Sequence, residues 1–249
     1  MYYKISEKKH YVNTNNDFNA IINKSDIKTI IINNFIIEKL TDLSKCINLQ
    51  FLDILNINIT KLPNLSNLIN LHTLNCNNCY LTVLPNLSKL INLHTLNFKN
   101  CNLKELPNLN KCVNLHFLDC NNNKLTKLPN LTNCINLIEL KCSHNNLTEL
   151  PDLSKCIKLK LLSCTSNNLV KLSKLPINIK HIICIFNSEI KKIDKSIMQC
   201  KNLDYYKTYS KYKSITELNY LINCKINYYY NFKIMKYYET KIKSYFKIT

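Results

Sequence analysis

The sequence predicts a solenoid of stacked repeats, on three observations. Leu71 is followed at 22-residue steps by Leu93, Leu115, Leu137 and Leu159, and the same step runs back to Leu49 and Ile27. Within each unit the small and apolar residues hold fixed places. In LIELKCSHNNLTELPDLSKCIK, residues 137–158, Leu137, Leu140, Cys142, Asn145, Leu147, Leu150, Leu153 and Cys156 fill positions 1, 4, 6, 9, 11, 14, 17 and 20. Finally, the six prolines (Pro63, Pro85, Pro107, Pro129, Pro151 and Pro176) are placed where the chain leaves position 14. Proline fixes φ and donates no hydrogen bond, so it suits an exit from a strand and not its interior.

Each element follows from that register. Positions 4 and 6 lie two apart, as one face of a strand requires. A single unit cannot bury its apolar row, but stacked units share a continuous core. The unit starting at Leu159 is two residues short and restarts at Ile179, so about eight units run over residues 27–202. The open ends of a solenoid need covering. Residues 1–26 are expected to cap one end through Phe18, Ile21 and Ile22, and residues 203–249 the other. In that tail, Ser214 to Glu217 reads as a capping box opening a helix with Ile215, Leu218 and Ile222 on one face. Met235, Tyr238, Ile242 and Tyr245 recur at the spacing of a second helix. The tail holds 11 of the 15 tyrosines, and nine lysines against three acids. It is therefore the place for a second docking role, either as an adaptor or as a basic contact to nucleic acid or a membrane surface.

The pattern L-x-x-L-x-C-x-x-N-x-L-x-x-L-P-x-L-x-x-C-I-N resembles the leucine-rich repeat family over about 70% of the chain. The resemblance implies an α/β fold: a right-handed solenoid with a curved parallel sheet on its concave face and short 3₁₀ or helical turns on its convex face. The 22-residue length is similar to the short intracellular subtype. The wealth of Asn, Ile, Lys and Tyr resembles the residue usage of A/T-rich large DNA viruses. In the family, Asn at position 9 satisfies backbone groups of the turn. Here Asn123, Asn145, Asn167 and Asn187 have it, whereas Phe35, Ile57, Cys79 and Cys101 stand there in the earlier units. The first half must therefore use other partners.

Composition narrows the function. The net charge is +18 and every basic residue is lysine. Arginine, the bidentate phosphate reader, is missing, which argues against sequence-specific nucleic-acid recognition. Glycine is also missing, so no glycine-rich phosphate loop exists. The N-terminus lacks an apolar h-region and no run of 18 apolar residues occurs, so a cytoplasmic protein with no transmembrane segment is expected. The 13 cysteines then read as reduced thiols. Cys76-x-x-Cys79 has the spacing of a zinc or redox pair, but both residues fall on repeat positions 6 and 9, and no second such pair exists. Packing is the expected role. His72, His94 and His116 share position 2 in successive units and are expected to form a partly exposed column; no metal, cofactor or catalytic residue is assigned.

Positions 3, 5 and 7 point away from the core onto the concave face. The candidate binding residues there are Phe51, Asp53, Asn75, Asn97, Lys99, Phe117, Asp119, Glu139 and Lys141. This surface is polar, near charge balance, and carries two phenylalanines. Lysines concentrate instead at positions 13 and 19, as in Lys61, Lys127, Lys89 and Lys111. The expected function is binding of a protein partner by a monomer with no enzymatic activity.

Overall fold

A computed structural model describes residues 10–12, 19–20, 24–33, 40, 42–172, 174–184, 186–187, 192–193 and 205–207. The expected end-covering residues Phe18, Ile21 and Ile22, the capping box at 214–217 and the second tail helix lie outside them. The strands are β1 (His10–Val12), β2 (Thr29–Asn33), β3 (Phe51–Leu55), β4 (Thr73–Asn75), β5 (Thr95–Asn97) and β6 (Phe117–Asp119). They continue as β7 (Glu139–Lys141), β8 (Leu161–Ser163), β9 (Lys171–Leu172), β10 (His181–Ile183), β11 (Lys192–Ile193) and β12 (Tyr205–Lys207). Ten of these form one parallel sheet in the order β1-β2-β3-β4-β5-β6-β7-β8-β10-β12. The register is in phase with the repeat: Leu52, Leu74, Leu96, Leu118, Leu140 and Leu162 pair in a row.

Alternation explains the core. Positions 4 and 6 of each strand point inward, and positions 1, 11, 17 and 20 close the wall behind them. From Leu49 to Leu159 all of these are essentially inaccessible to water. One apolar cluster runs the length of the solenoid. Truncating one of its leucines to alanine is expected to cost about 2–5 kcal/mol, because the tightly stacked neighbours cannot collapse into the void.

Short 3₁₀ or helical turns were expected on the convex side. It is made of single turns: Leu43 O accepts from Cys46 N and Cys46 O accepts from Leu49 N, both at 2.9 Å, and equivalent pairs recur in later units. The step of three from position 17 to 20 to 1 places an apolar residue at each turn end. Each run of turns starts with an Asx turn. The side-chain oxygens of Asp42, Asn64, Asn86, Asn108, Asn130 and Asp152 accept the backbone N–H two residues on, at 2.8–2.9 Å. A polar side chain that folds back on its own backbone favours turns over helix. The Ser44 and Ser154 donors also hold the Asp42 and Asp152 carboxyls below the usual range.

Two further expectations, for Pro176 and Thr29, are corrected. Pro176 is not at the strand exit; in the shortened unit it opens the turn in which its carbonyl accepts from Ile179 N at 3.2 Å. Of the expected tail cap only β12 is described, which pairs with β10 and extends the sheet; the expected helices lie outside the described residues. Thr29, placed on the open face by its position, is buried, with its hydroxyl unpaired.

Candidate interaction surface

The sheet assembles the expected residues into two ranks. Phe51, Thr73, Thr95, Phe117, Glu139 and Leu161 lie side by side across β3 to β8. Asp53, Asn75, Asn97, Asp119, Lys141 and Ser163 form the next rank. At about 4.8 Å per strand, the two phenylalanines stand roughly 15 Å apart. Lys99, at position 7, is exposed beside them. Charges are locally matched: Lys141 Nζ lies 2.8 Å from Glu139. Burial pushes the Asp119 carboxyl up, opposed by the Asn121 backbone N–H, Lys141 and Lys99. Asn75 Oδ1 and Asn77 Oδ1 are enclosed on this floor without a hydrogen-bond partner.

Phe51 is not the freely exposed anchor expected from sequence. It is half-buried, stacked on His72 with ring centroids 6.3 Å apart. His72 stacks on His94 at 5.2 Å, His94 on His116 at 5.1 Å, and Phe117 tilts against the end of the row at 6.4 Å. Phe117 keeps 41% exposure. The sequence placed the histidines in a column but not the phenylalanines at its ends. His94 Nδ1 and His116 Nδ1 sit 2.6 Å from the Asn92 and Asn114 carbonyls. A carbonyl only accepts, so Nδ1 carries the proton and Nε2 is the acceptor of the neutral ring. Near-parallel rings about 5 Å apart hold equivalent nitrogens at that spacing, whereas two nitrogen ligands of one tetrahedral zinc lie ~3.3 Å apart. Among the described residues, no group of three or more His, Cys, Asp or Glu is placed to hold a metal ion.

Three ladders of side-chain amides stiffen this scaffold. The buried one lies at position 9. Asn145 Nδ2 donates to the carbonyls of Cys120, Cys142 and Ser143 at 3.0–3.2 Å, while its Oδ1 accepts from Leu125 N at 3.0 Å. Asn123 and Asn167 repeat the full set of bonds. In the first half a thiol takes the donor part: Cys101 Sγ lies 3.1 Å from Cys76 O, and Cys79 Sγ lies 3.6 Å from Ile54 O. The second ladder is exposed and was missed from sequence. Asn56, Asn78, Asn100 and Asn122, at position 8, donate amide to amide along the stack. Their backbones are left-handed, with φ of 54–57°. Asparagine tolerates that region best after glycine, which this chain lacks. The signal was asparagine at position 8 in four successive units, from Asn56 to Asn122. The third ladder is at position 22, where Asn70, Asn92 and Asn114 donate to the Ile47, Ile69 and Ile91 carbonyls at 3.0–3.1 Å.

The cysteines form core columns. Cys76, Cys120, Cys142, Cys164 and Cys184 fill position 6, and Cys46, Cys112, Cys134 and Cys156 fill position 20; all are buried free thiols. Burial pushes the thiols of Cys134 and Cys142 up to about 12, and that of Cys112 to about 11. Such thiols stay protonated and behave as small hydrophobes.

Comparison with known proteins gives the fold a place. Residues 91–133 match the model of leucine rich repeats (2 copies). No curated protein matches the chain. Among solved structures, InlP from Listeria monocytogenes is similar at 21% identity and a TM-score of 0.64, over 80% of this chain and 60% of that one. YopM, a leucine-rich effector protein from Yersinia pestis, is similar at 22% identity and a TM-score of 0.57, over 78% and 60%. The functional domain of InlJ from Listeria monocytogenes, which includes a cysteine ladder, is similar at 23% identity and a TM-score of 0.56, over 74% and 44%. The chain thus spans less than two thirds of the length of each. Its middle carries leucine-rich repeats, and its parallel-sheet solenoid has the leucine-rich repeat fold.

Proposed function

We propose that this chain is a non-enzymatic, intracellular protein-binding module that holds its partner on the concave face. The proposal includes the short 22-residue subtype, a monomeric state and an origin in an A/T-rich large DNA virus. The observation that carries it is the concave floor itself: two ranks of mostly polar side chains in register, with two phenylalanines among them. Phe117 supplies an aromatic anchor that is supported from behind by the imidazole row. Asp53, Asp119, Lys99, Glu139 and Lys141 set the register of a partner by charge.

The test is capture of the partner from the native cell followed by titration with variants. Phe117→Ala is expected to weaken binding by about 2 kcal/mol or more, with little loss of stability. Lys89→Ala and Lys111→Ala, on the other side of the solenoid, are expected to bind as the parent does. The reverse outcome places the protein partner off the concave face.

A further inference from the structure

An exposed aliphatic column runs along the flank where the turns lead back into the strands. Position 21 holds Ile47, Ile69, Ile91, Val113, Ile135 and Ile157, each 42–55% exposed, and Ile177 continues the row at 52%. Codon bias does not account for it. At the exposed positions nearby, 10, 12, 16 and 19, the same chain mostly uses Asn, Thr and Lys. Nor is the column loose, because the position-22 amides bond to position-21 carbonyls of the preceding unit, from Asn70 on Ile47 to Asn136 on Val113. At about 4.8 Å per unit the row is roughly 30 Å long.

Charge says what fits it. Positions 19 to 22 and on to position 2 of the next unit span residues 45–50, 67–72, 89–94, 111–116, 133–138 and 155–160. These six passages contain no aspartate or glutamate, and they carry Lys45, Lys89, Lys111, Lys155, Lys158 and Lys160. Position 19 and position 21 are the tips of two successive turns, separated only by the buried residue at position 20. A rigid row of aliphatic tips therefore runs beside a row in which Lys45, Lys89, Lys111 and Lys155 are interspersed with Asn67 and Asn133, in a chain of net charge +18. Short aliphatic groups that reach the headgroup–acyl boundary, with lysines meeting anionic headgroups, are the two contributions to interfacial binding. A long lysine stem can lie along the apolar row while its ammonium stays in the headgroup layer. We propose that this flank docks on an anionic lipid bilayer, leaving the concave face open.

The experiment is co-sedimentation of the full chain with vesicles of phosphatidylcholine alone or with phosphatidylserine added. Binding is expected only with phosphatidylserine, and to weaken as salt is raised. The triple variant Ile69→Asn, Ile91→Asn, Val113→Asn is expected to lower the partition coefficient by about tenfold or more, whereas the same three sites changed to Leu retain it. Lys89→Gln with Lys111→Gln is expected to lower it several-fold. Should the triple Asn variant melt early, single Ile91→Asn is read instead, with about a threefold loss expected. Unchanged binding in the Asn variants would assign any vesicle affinity to another basic surface and overturn the proposal. Failure of the parent to bind phosphatidylserine vesicles at low salt overturns it too. So does binding to soluble polyglutamate in place of vesicles, which assigns the flank to an acidic protein.

Discussion

The two halves of the solenoid solve one problem with different atoms. In each unit the chain bends sharply after the strand, leaving carbonyls at positions 6 and 7 and an N–H at position 11 inside the turn. The units starting at Leu115, Leu137 and Leu159 meet all of them with one buried amide, as Asn145 does for Cys142, Ser143 and Leu125. The units starting at Leu49, Leu71 and Leu93 have Ile57, Cys79 and Cys101 there, and shift their amides one residue back, to the exposed Asn56, Asn78 and Asn100. The handover is at Asn122–Asn123, where both ladders are present. After it, position 8 is free to hold His144, Ser166 and Phe186, still left-handed at φ of 52–55°. A buried amide that satisfies the turn lets the exposed position tolerate backbone strain; where it is absent, asparagine is kept outside.

The largest way to break this comparison is alkali. Among the described residues, seven buried thiols lie from Cys112 onward and four before it. Burial holds ten of them, from Cys46 to Cys164, protonated in the fold, with Cys134 and Cys142 near 12 and Cys101, Cys112 and Cys156 near 11. The unfolded chain releases these protons nearer pH 8.5–9, so the native state binds more protons above that pH and stability must fall as pH rises. The stabilisation is intact below about pH 8.5 and is lost at about 1.4 kcal/mol per pH unit per thiol, up to the folded value. Urea midpoints measured from pH 7 to 11 should drop steeply, and iodoacetamide should label the seven buried cysteines from Cys112 to Cys184 before Cys46, Cys76, Cys79 and Cys101. A shallow pH slope, or first labelling of Cys76, would contradict the burial reading.

Next in size is a paired truncation. Asn145→Ala removes three donated bonds and one accepted bond and is expected to cost about 2–3 kcal/mol in chemical denaturation. Cys101→Ala should cost about 1 kcal/mol, since a thiol is a weak donor and fills little volume. Equal losses at the two sites would mean that the buried amide ladder is not what distinguishes the halves. Cys101→Asn sharpens the point in the other direction: it extends the buried ladder one unit toward the N-terminus and is expected to stabilise by about 1 kcal/mol, read as a higher midpoint. Smallest is His144→Asn. It relieves a left-handed histidine and extends the outer ladder, for a gain of about 0.5 kcal/mol in the same measurement.

Much of this was legible in the sequence. The 22-residue period gave the core row and the two concave ranks, because side-chain direction in a strand depends only on parity. Asp53, Asn75, Asn97, Asp119 and Lys141 were thus found in register without any knowledge of contacts. What escaped depended on bonds between units. The stacking of Phe51 on His72 joins position 3 of one unit to position 2 of the next, and the ring planes are fixed by carbonyls that no residue pattern announces. The outer amide ladder was hidden by abundance, since asparagine is so common here that a column of it carried no contrast. The short 3₁₀ or helical turns of the convex side were expected from resemblance alone; the Asx turns at position 16 that open the single turns found there were not foreseen.

Each ladder joins a donor in one unit to an acceptor in its neighbour, and the units starting at Leu49, Leu71 and Leu93 all take part in the outer and the position-22 ladders. Leu71–Asn75 and Leu93–Asn97 are the same five residues, LHTLN. Loss or duplication of one 22-residue block at such a boundary would leave each surviving amide facing an equivalent carbonyl. Length in this molecule is therefore a heritable variable separable from foldability: gene segments can be gained or dropped in whole units, each changing the reach of the surface by one strand width while the chemistry of the joint stays the same.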